Sequence, residues 1–180
     1  MSCSSFALFI AFLRSVFNLS ILASILFGIT PASEGSIVLD GKTLNERGPQ
    51  NAIENSIHMS PKDRASNAIL KTFDIEENLT IPFTKSFSWL SFLRLKALRH
   101  SAKKKVLDMG IVCQSELDEI ETLSGGNQQK VVVGRWLLKP CKLLILDEPF
   151  QGVDIKARQD IGTYIRQTAD NRATIVFVSE

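Results

Sequence analysis

Cysteine, tyrosine and unbalanced charge are all scarce in this chain. Its 180 residues include three cysteines, Cys3, Cys113 and Cys141, which are far apart, odd in number and without metal-ligand spacing. That usage points to reduced thiols in a cytosolic protein rather than to a disulfide framework. Lysine plus arginine exceed aspartate plus glutamate by only 21 to 19, and a net charge of +2 does not by itself argue for nucleic acid or an anionic membrane. Internal repeats and low-complexity tracts are absent. Met1 to Ser5 supplies no basic side chain ahead of the apolar run Phe6–Ile29, so a signal peptide is a poor match. That run is long enough to span a bilayer. Yet Arg14 near its centre would cost about 2.5–3.5 kcal/mol on insertion, and Asn18 follows one turn later. A buried or mistranslated segment is the favoured reading of residues 1–25.

What is present is enough for one domain with a core: 44% of residues are hydrophobic and 22% charged. Ser36 to Lys42 reads as a short strand closed by an Asp40-Gly41 turn. Ala52 to Ile57 reads as helical, ending at the loop Ser60, Pro61, Lys62, Asp63, Arg64, where proline stops regular structure. From about residue 68 to 122 a helical subdomain is expected. Its aromatics (Phe73, Phe83, Phe87, Trp89, Phe92) precede a basic helix, Arg94 to Lys105, with six Lys or Arg in twelve positions. Leu93, Leu95, Leu98, Val106 and Leu107 would supply that helix with an apolar side.

The last third alternates helix and strand. A helix from about Asn127 to Leu138 leads into the apolar run Leu143–Leu146, and a helix from Ile155 to about Ala169 leads into Thr174–Val178. Apolar runs without polar alternation belong to strands buried on both faces, and their alternation with helices indicates parallel βαβ units. The fold class is α/β.

Three short stretches carry chemistry. Leu143 to Pro149 reads Leu-Leu-Ile-Leu-Asp-Glu-Pro, which puts Asp147 at the carboxyl end of a buried strand, where open α/β sheets bind ligands. A carboxylate there suits Mg²⁺, which takes one or two carboxylates plus phosphate oxygens. Glu148, on the following turn, can accept a proton from an attacking water. Leu123 to Lys130 reads Leu-Ser-Gly-Gly-Asn-Gln-Gln-Lys; its glycines and helix start bring backbone N–H groups toward an anion, while Ser124 is also a helix cap. Gln151 to Asp154 reads Gln-Gly-Val-Asp, with Asp154 placed to cap the next helix.

Together, in this order and spacing, these stretches resemble the ABC ATPase cassette. Leu123–Gln128 match its signature motif, Leu143–Glu148 its Walker B strand and Gly152–Asp154 its D-loop. Asn127 to Lys130 and the Gly-Val-Asp loop look like the second cassette of tandem ATPases from ribose- and galactose-type importers. The resemblance covers about Leu26 to Glu180. It implies a P-loop NTPase-like parallel sheet with an inserted helical subdomain, incomplete at both ends, using ATP and Mg²⁺. Asp147 would organise the metal through water and Glu148 would polarise the hydrolytic water. Ser124, Gly125, Gly126 and Gln128 would bind the ATP held by an opposing cassette, and Gly152, Val153 and Asp154 would lie at the interface between cassettes. Implied partners are a second cassette, membrane permease subunits and, indirectly, a periplasmic sugar-binding protein. The implied place is the cytoplasmic face of the inner membrane, with no nucleic acid involved.

The resemblance has a gap. Such a cassette has a G-x-x-G-x-G-K-[ST] phosphate loop, and nothing here matches it. Counting back from Gly28 puts the loop at about Leu13–Ser20, which reads Leu-Arg-Ser-Val-Phe-Asn-Leu-Ser, and Ser20 alone keeps the hydroxyl. Lys62 stands where the importer branch has an acidic residue, so no role is assigned to it. A truncated or frame-disrupted copy is therefore expected, with weak autonomous ATP binding. The alternative is a non-catalytic interaction fragment that completes another cassette's site. An ABC ATPase acting on nucleic acid and an anchored membrane segment fit less well.

Overall fold

The computed structural model describes residues 8–10, 19–44, 48–62, 68–90, 92–169 and 172–178. In chain order they form β1 (Leu8–Ile10), α1 (Leu19–Phe27), β2 (Val38–Leu39), β3 (Lys42–Thr43), α2 (Pro49–Glu54) and β4 (Ile57–Ser60). There follow α3 (Ile75–Thr80), a 3-10 turn (Ile81–Phe87), β5 (Ser88–Trp89), β6 (Phe92–Leu93) and α4 (Leu95–Asp108). The last elements are a 3-10 turn (Ile120–Thr122), α5 (Gly125–Trp136), β7 (Leu143–Asp147), α6 (Ile155–Gln167) and β8 (Ala173–Phe177).

The central sheet runs β1-β8-β7-β4 with every pairing parallel. The expected apolar strands are there: Leu144, Ile145 and Leu146 are fully buried, because β7 has a strand on either side and its side chains lie within the main core. Parallel pairing also puts the carboxyl ends of β4, β7 and β8 on one edge, which is where Asp147 sits.

Four expectations need correction. The helix read at Ala52–Ile57 is Pro49–Glu54, and Ile57–Ser60 is a strand paired with Leu143–Leu146. The strand read at Ser36–Lys42 is shorter, Val38–Leu39; the expected Asp40-Gly41 turn (φ 48 and φ 76) closes it and leads into a second strand, β3, to make a hairpin. The stretch from about residue 68 to 122, read as helical, also contains a two-stranded hairpin, β5-β6. On α4, Leu98, Ala102 and Lys105 face inward, whereas Leu95 and Leu107 are exposed, so the apolar side is narrower than the sequence suggests.

The apolar N-terminal run divides. Leu8–Ile10 joins the sheet edge beside β8, and α1 lays Ala23 and Phe27 into the core. Among the described residues no helix is long and apolar enough to cross a membrane. Gly28 ends α1 at φ +82, and a Cβ there would lie 2.5 Å from the Gly48 nitrogen, so both conformation and space demand glycine.

Beneath the sheet, Phe27 meets Trp136 edge-on at 5.6 Å, and His58 lies between Phe83 and Trp136. The His58 Nδ1–H donates to the Trp136 carbonyl over 2.6 Å, and burial pulls its imidazole below the ordinary histidine value. A polar knot ties α3 and the segment before it to α5. Buried Asn78 donates to the Leu70, Phe73 and Asp74 carbonyls, and Arg135 donates to Asn78 and to the Ala68 carbonyl. Burial lowers the Arg135 guanidinium to about 10, a cost these carbonyl acceptors offset.

Candidate functional site

Asp147 closes β7 and is 4% exposed. Immediately after it, Glu148 takes a left-handed conformation (φ 50), rare for a residue with a Cβ, while its N–H donates to Phe177 over 3.0 Å. The turn closes when the Gln151 N–H donates to the Glu148 carbonyl. Backbone held in a sparsely populated region at a strand tip is the sort of strain functional sites store. Glu148 itself is buried beside Asp147.

A cavity of about 510 Å³ opens beside Asp147, lined also by Ser20, Phe27, Lys62, Arg135 and Trp136. Burial raises the Asp147 carboxyl above the ordinary aspartate value. The Ser20 hydroxyl, which donates to it, and the Lys62 charge both pull it back, while Glu148 adds to the rise. The Trp136 indole N–H is buried without a partner.

Among the described residues no group of three or more His, Cys, Asp or Glu side chains could hold a metal alone. The donor set does fit a magnesium ion that arrives with phosphate oxygens, since Asp147 and Ser20 offer one carboxylate and one hydroxyl side by side.

The Ser124 turn lies elsewhere. Ser124 caps α5, its Oγ accepting from the Asn127 backbone N–H at 3.4 Å and from Asn127 Nδ2 at 3.1 Å. Asn127 Oδ1 in turn accepts from the Val112 N–H at 3.0 Å, and Gln128 Nε2 donates to the Ile120 and Leu123 carbonyls. Gln128 thus braces the turn from behind, while Ser124 stays exposed. A Cβ on Gly126 would lie 2.8 Å from both Ala157 Cβ and Asp154 Oδ2. That glycine serves the approach of α6, a packing role beyond the phosphate approach read from sequence. Asp154 caps α6 as expected, accepting from the Ala157 N–H at 2.8 Å. Gly152, at φ +63, turns the chain toward it, and Val153 is half-buried between them.

Two groups therefore form. Asp147 and Glu148 stand together at the strand tip, and Gly126 meets Asp154. Ser124, Gly125, Gly126 and Gln128 do not line the Asp147 cavity. Sequence reasoning missed the cavity positions of Lys62, Arg135 and Trp136. Reading β4 as a strand would have placed Lys62 just past its carboxyl end, beside Asp147. Asp63, Arg64, Ser179, Glu180 and residues 13–18 of the expected phosphate-loop position lie outside the described residues.

Comparison with known proteins places the chain in a family. The family model described as ABC transporter matches residues 20–151. The arabinose import ATP-binding protein AraG of Mannheimia succiniciproducens is 39% identical over 159 residues, 88% of this chain and 32% of that protein. The ribose import ATP-binding protein RbsA of Geobacillus kaustophilus is 35% identical, over 86% of this chain and 31% of its own length. The chain thus spans about a third of the curated relatives it matches. Among solved structures, the ATP-binding cassette MJ0796, a dimer bound to ADP and Pi, superposes with a TM-score of 0.72 at 18% identity, covering 90% of this chain and 70% of that one. An ATP-bound bacterial Atm1-family ABC exporter gives 0.67 at 24% identity, over 88% of this chain and 27% of that one. The α/β fold of the ABC ATPases is thereby established at the level of structure. By its matched residues and its relatives, this chain belongs to the ABC transporter family.

Proposed function

We propose that this chain is an ATP-binding, ATP-hydrolysing cassette unit of a monosaccharide importer, working only against a second cassette. The observation that carries this reading is the separation of its two groups: a buried carboxylate at the strand tip faces one cavity, and the Ser124 turn is presented outside it. Each group is half a nucleotide site, so the complementary half must come from another copy or another cassette.

Asp147 and Ser20 would hold the magnesium that accompanies ATP, one by its carboxylate and the other by its hydroxyl. Bound Mg²⁺ screens the phosphate charge that builds up during transfer to water. Glu148 orients the attacking water and accepts its proton, held in place by the strained turn. Ser124, Gly125 and Gly126 point N–H groups and a hydroxyl at the γ-phosphate carried by the partner cassette, with Gln128 bracing them. Gly152, Val153 and Asp154 link that turn to the partner surface. The sugar comes from the named relatives, which import arabinose and ribose. A membrane permease on the cytoplasmic face is the partner for the exposed apolar side chains Leu90, Phe92 and Leu95, and a periplasmic sugar-binding protein acts on the far side of it.

The stretch at Leu13–Ser20, without glycine or lysine, favours weak ATP binding by this chain alone. Calorimetric ATP titration with phosphate-release assays tests it. The expected outcome is a Kd weaker than about 1 mM and no turnover. Adding a cassette with its own phosphate loop should restore turnover that Ser124→Arg abolishes. Micromolar affinity with Glu148-dependent turnover by the chain alone would defeat the claim of impairment. Absence of any rescue would defeat the shared site.

A further inference from the structure

At the opposite end of the sheet from Asp147, where β7 and β8 begin, a second cavity of about 480 Å³ lies between α4, the loop after α5 and the end of α6. We infer that it is a binding site for a soluble phosphate monoester, held by Lys104, Lys105 and Lys139 against an apolar wall.

The charge is concentrated there. The lining includes Lys104, Lys105, Lys139 and Arg172 against one acid, Asp108, a balance of +3 (four minus one), while the whole chain carries only +2. Asp108 is already taken, pairing with Lys104 at 3.0 Å one helical turn away. Arg172 is engaged in capping the end of α6, donating to the Ile165 and Thr168 carbonyls.

Lys105 is different. It is 8% exposed, and its ammonium makes one hydrogen bond among the described residues, 2.7 Å to the Tyr164 hydroxyl. Lys139 leans on the Phe87 ring, 4.2 Å from its centroid. A buried ammonium is normally paired with a carboxylate, because desolvating it alone is costly. Lys105 has a phenol and Lys139 an aromatic face as partner, so neither ammonium has an ion-pair partner among the described residues, although the Asp108 charge acts on Lys105 from nearby. Burial has pulled Lys105 down to about 8, so it still carries its charge at neutral pH.

A ligand that supplies two negative charges would complete this arrangement. Phosphate monoesters do so, and charge-assisted hydrogen bonds from Lys105, Lys104 and Lys139 are the strong kind. The Tyr164 and Ser101 hydroxyls add neutral donors at the rim. The volume exceeds what a bare phosphate fills, and Leu137, Leu138 and Pro140 offer an apolar wall for the organic part. The site shares no residue with the Asp147 cavity, so it stands apart from the ATPase reading.

Calorimetric titration of the full chain with phenyl phosphate and with inorganic phosphate, at constant ionic strength, tests this. Phenyl phosphate should bind saturably and tighter than inorganic phosphate. Lys105→Met should weaken it at least about tenfold, and the less buried variants Lys104→Gln and Lys139→Gln about threefold each, as lost ionic hydrogen bonds would. Asp147→Asn should leave it unchanged. The two glutamine variants keep the test valid even if Lys105→Met unfolds. No saturable binding, undiminished wild-type affinity in both glutamine variants, or loss with Asp147→Asn would each overturn the site. Binding to phosphatidic acid vesicles without binding to phenyl phosphate would move the ligand into a membrane and overturn the soluble class.

Discussion

Lys105 shows how one residue can report on its surroundings. An unfolded lysine titrates near 10.5, whereas this one titrates near 8 because burial disfavours its charge. Between those values the unfolded chain holds a proton that the native chain has released, so raising the pH favours folding. Cys141 opposes this from about pH 9, since burial lifts its thiol to about 11 and the unfolded thiol ionises first. Across pH 8 to 9 Lys105 should therefore contribute a rise of about 1 kcal/mol, part of which the Cys141 and Cys113 thiols, both raised by burial, offset as pH 9 is approached. Urea denaturation at the two pH values checks it, and Lys105→Met should abolish the rise. Residues of this kind were hardly legible in sequence: Arg94 to Lys105 reads as one solvated basic face, and nothing local distinguishes Lys105 from Lys103 or Lys104. What separates them is Tyr164, fifty-nine positions away.

At the scale of elements, the helix caps were legible and the close approaches were not. Ser124 and Asp154 cap α5 and α6 as their types and positions suggest, since capping depends on residues three apart. Gly126 could be read as a phosphate neighbour, but only the packing shows that it admits Asp154 and Ala157. Gly126→Ala should force the start of α6 outward, costing roughly 1–3 kcal/mol. The damage should concentrate in the two loops, so hydrogen exchange should quicken at α5 and α6 amides while β7 stays protected. Unchanged exchange and stability would mean that α6 yields freely. On α4 the leucine pattern overstated the buried face, because the helix packs by a narrow stripe and leaves Leu95 and Leu107 in solvent.

For the whole molecule, β7 is the organising strand. It lies between β8 and β4, carries three fully buried side chains and ends on Asp147. Ile145→Ala should cost about 3 kcal/mol and bring the Trp136 fluorescence and far-ultraviolet transitions down together, since sheet and α5 share one core. Separate transitions would show that the helical subdomain folds independently.

The order of residues alone determined that β7 is a doubly buried parallel strand, that Asp147 and Glu148 stand at its tip, and that Ser124 and Asp154 start helices. Those features follow from period and from neighbours within a few positions. Tertiary structure alone decided that Ile57–Ser60 is a strand, that Ser20 and Lys62 share a cavity with Asp147, and that Lys105 is buried against the Tyr164 hydroxyl. A short stretch such as Ile-His-Met-Ser has no decisive local preference; it becomes a strand because Leu143–Leu146, far along the chain, lies beside it in parallel register.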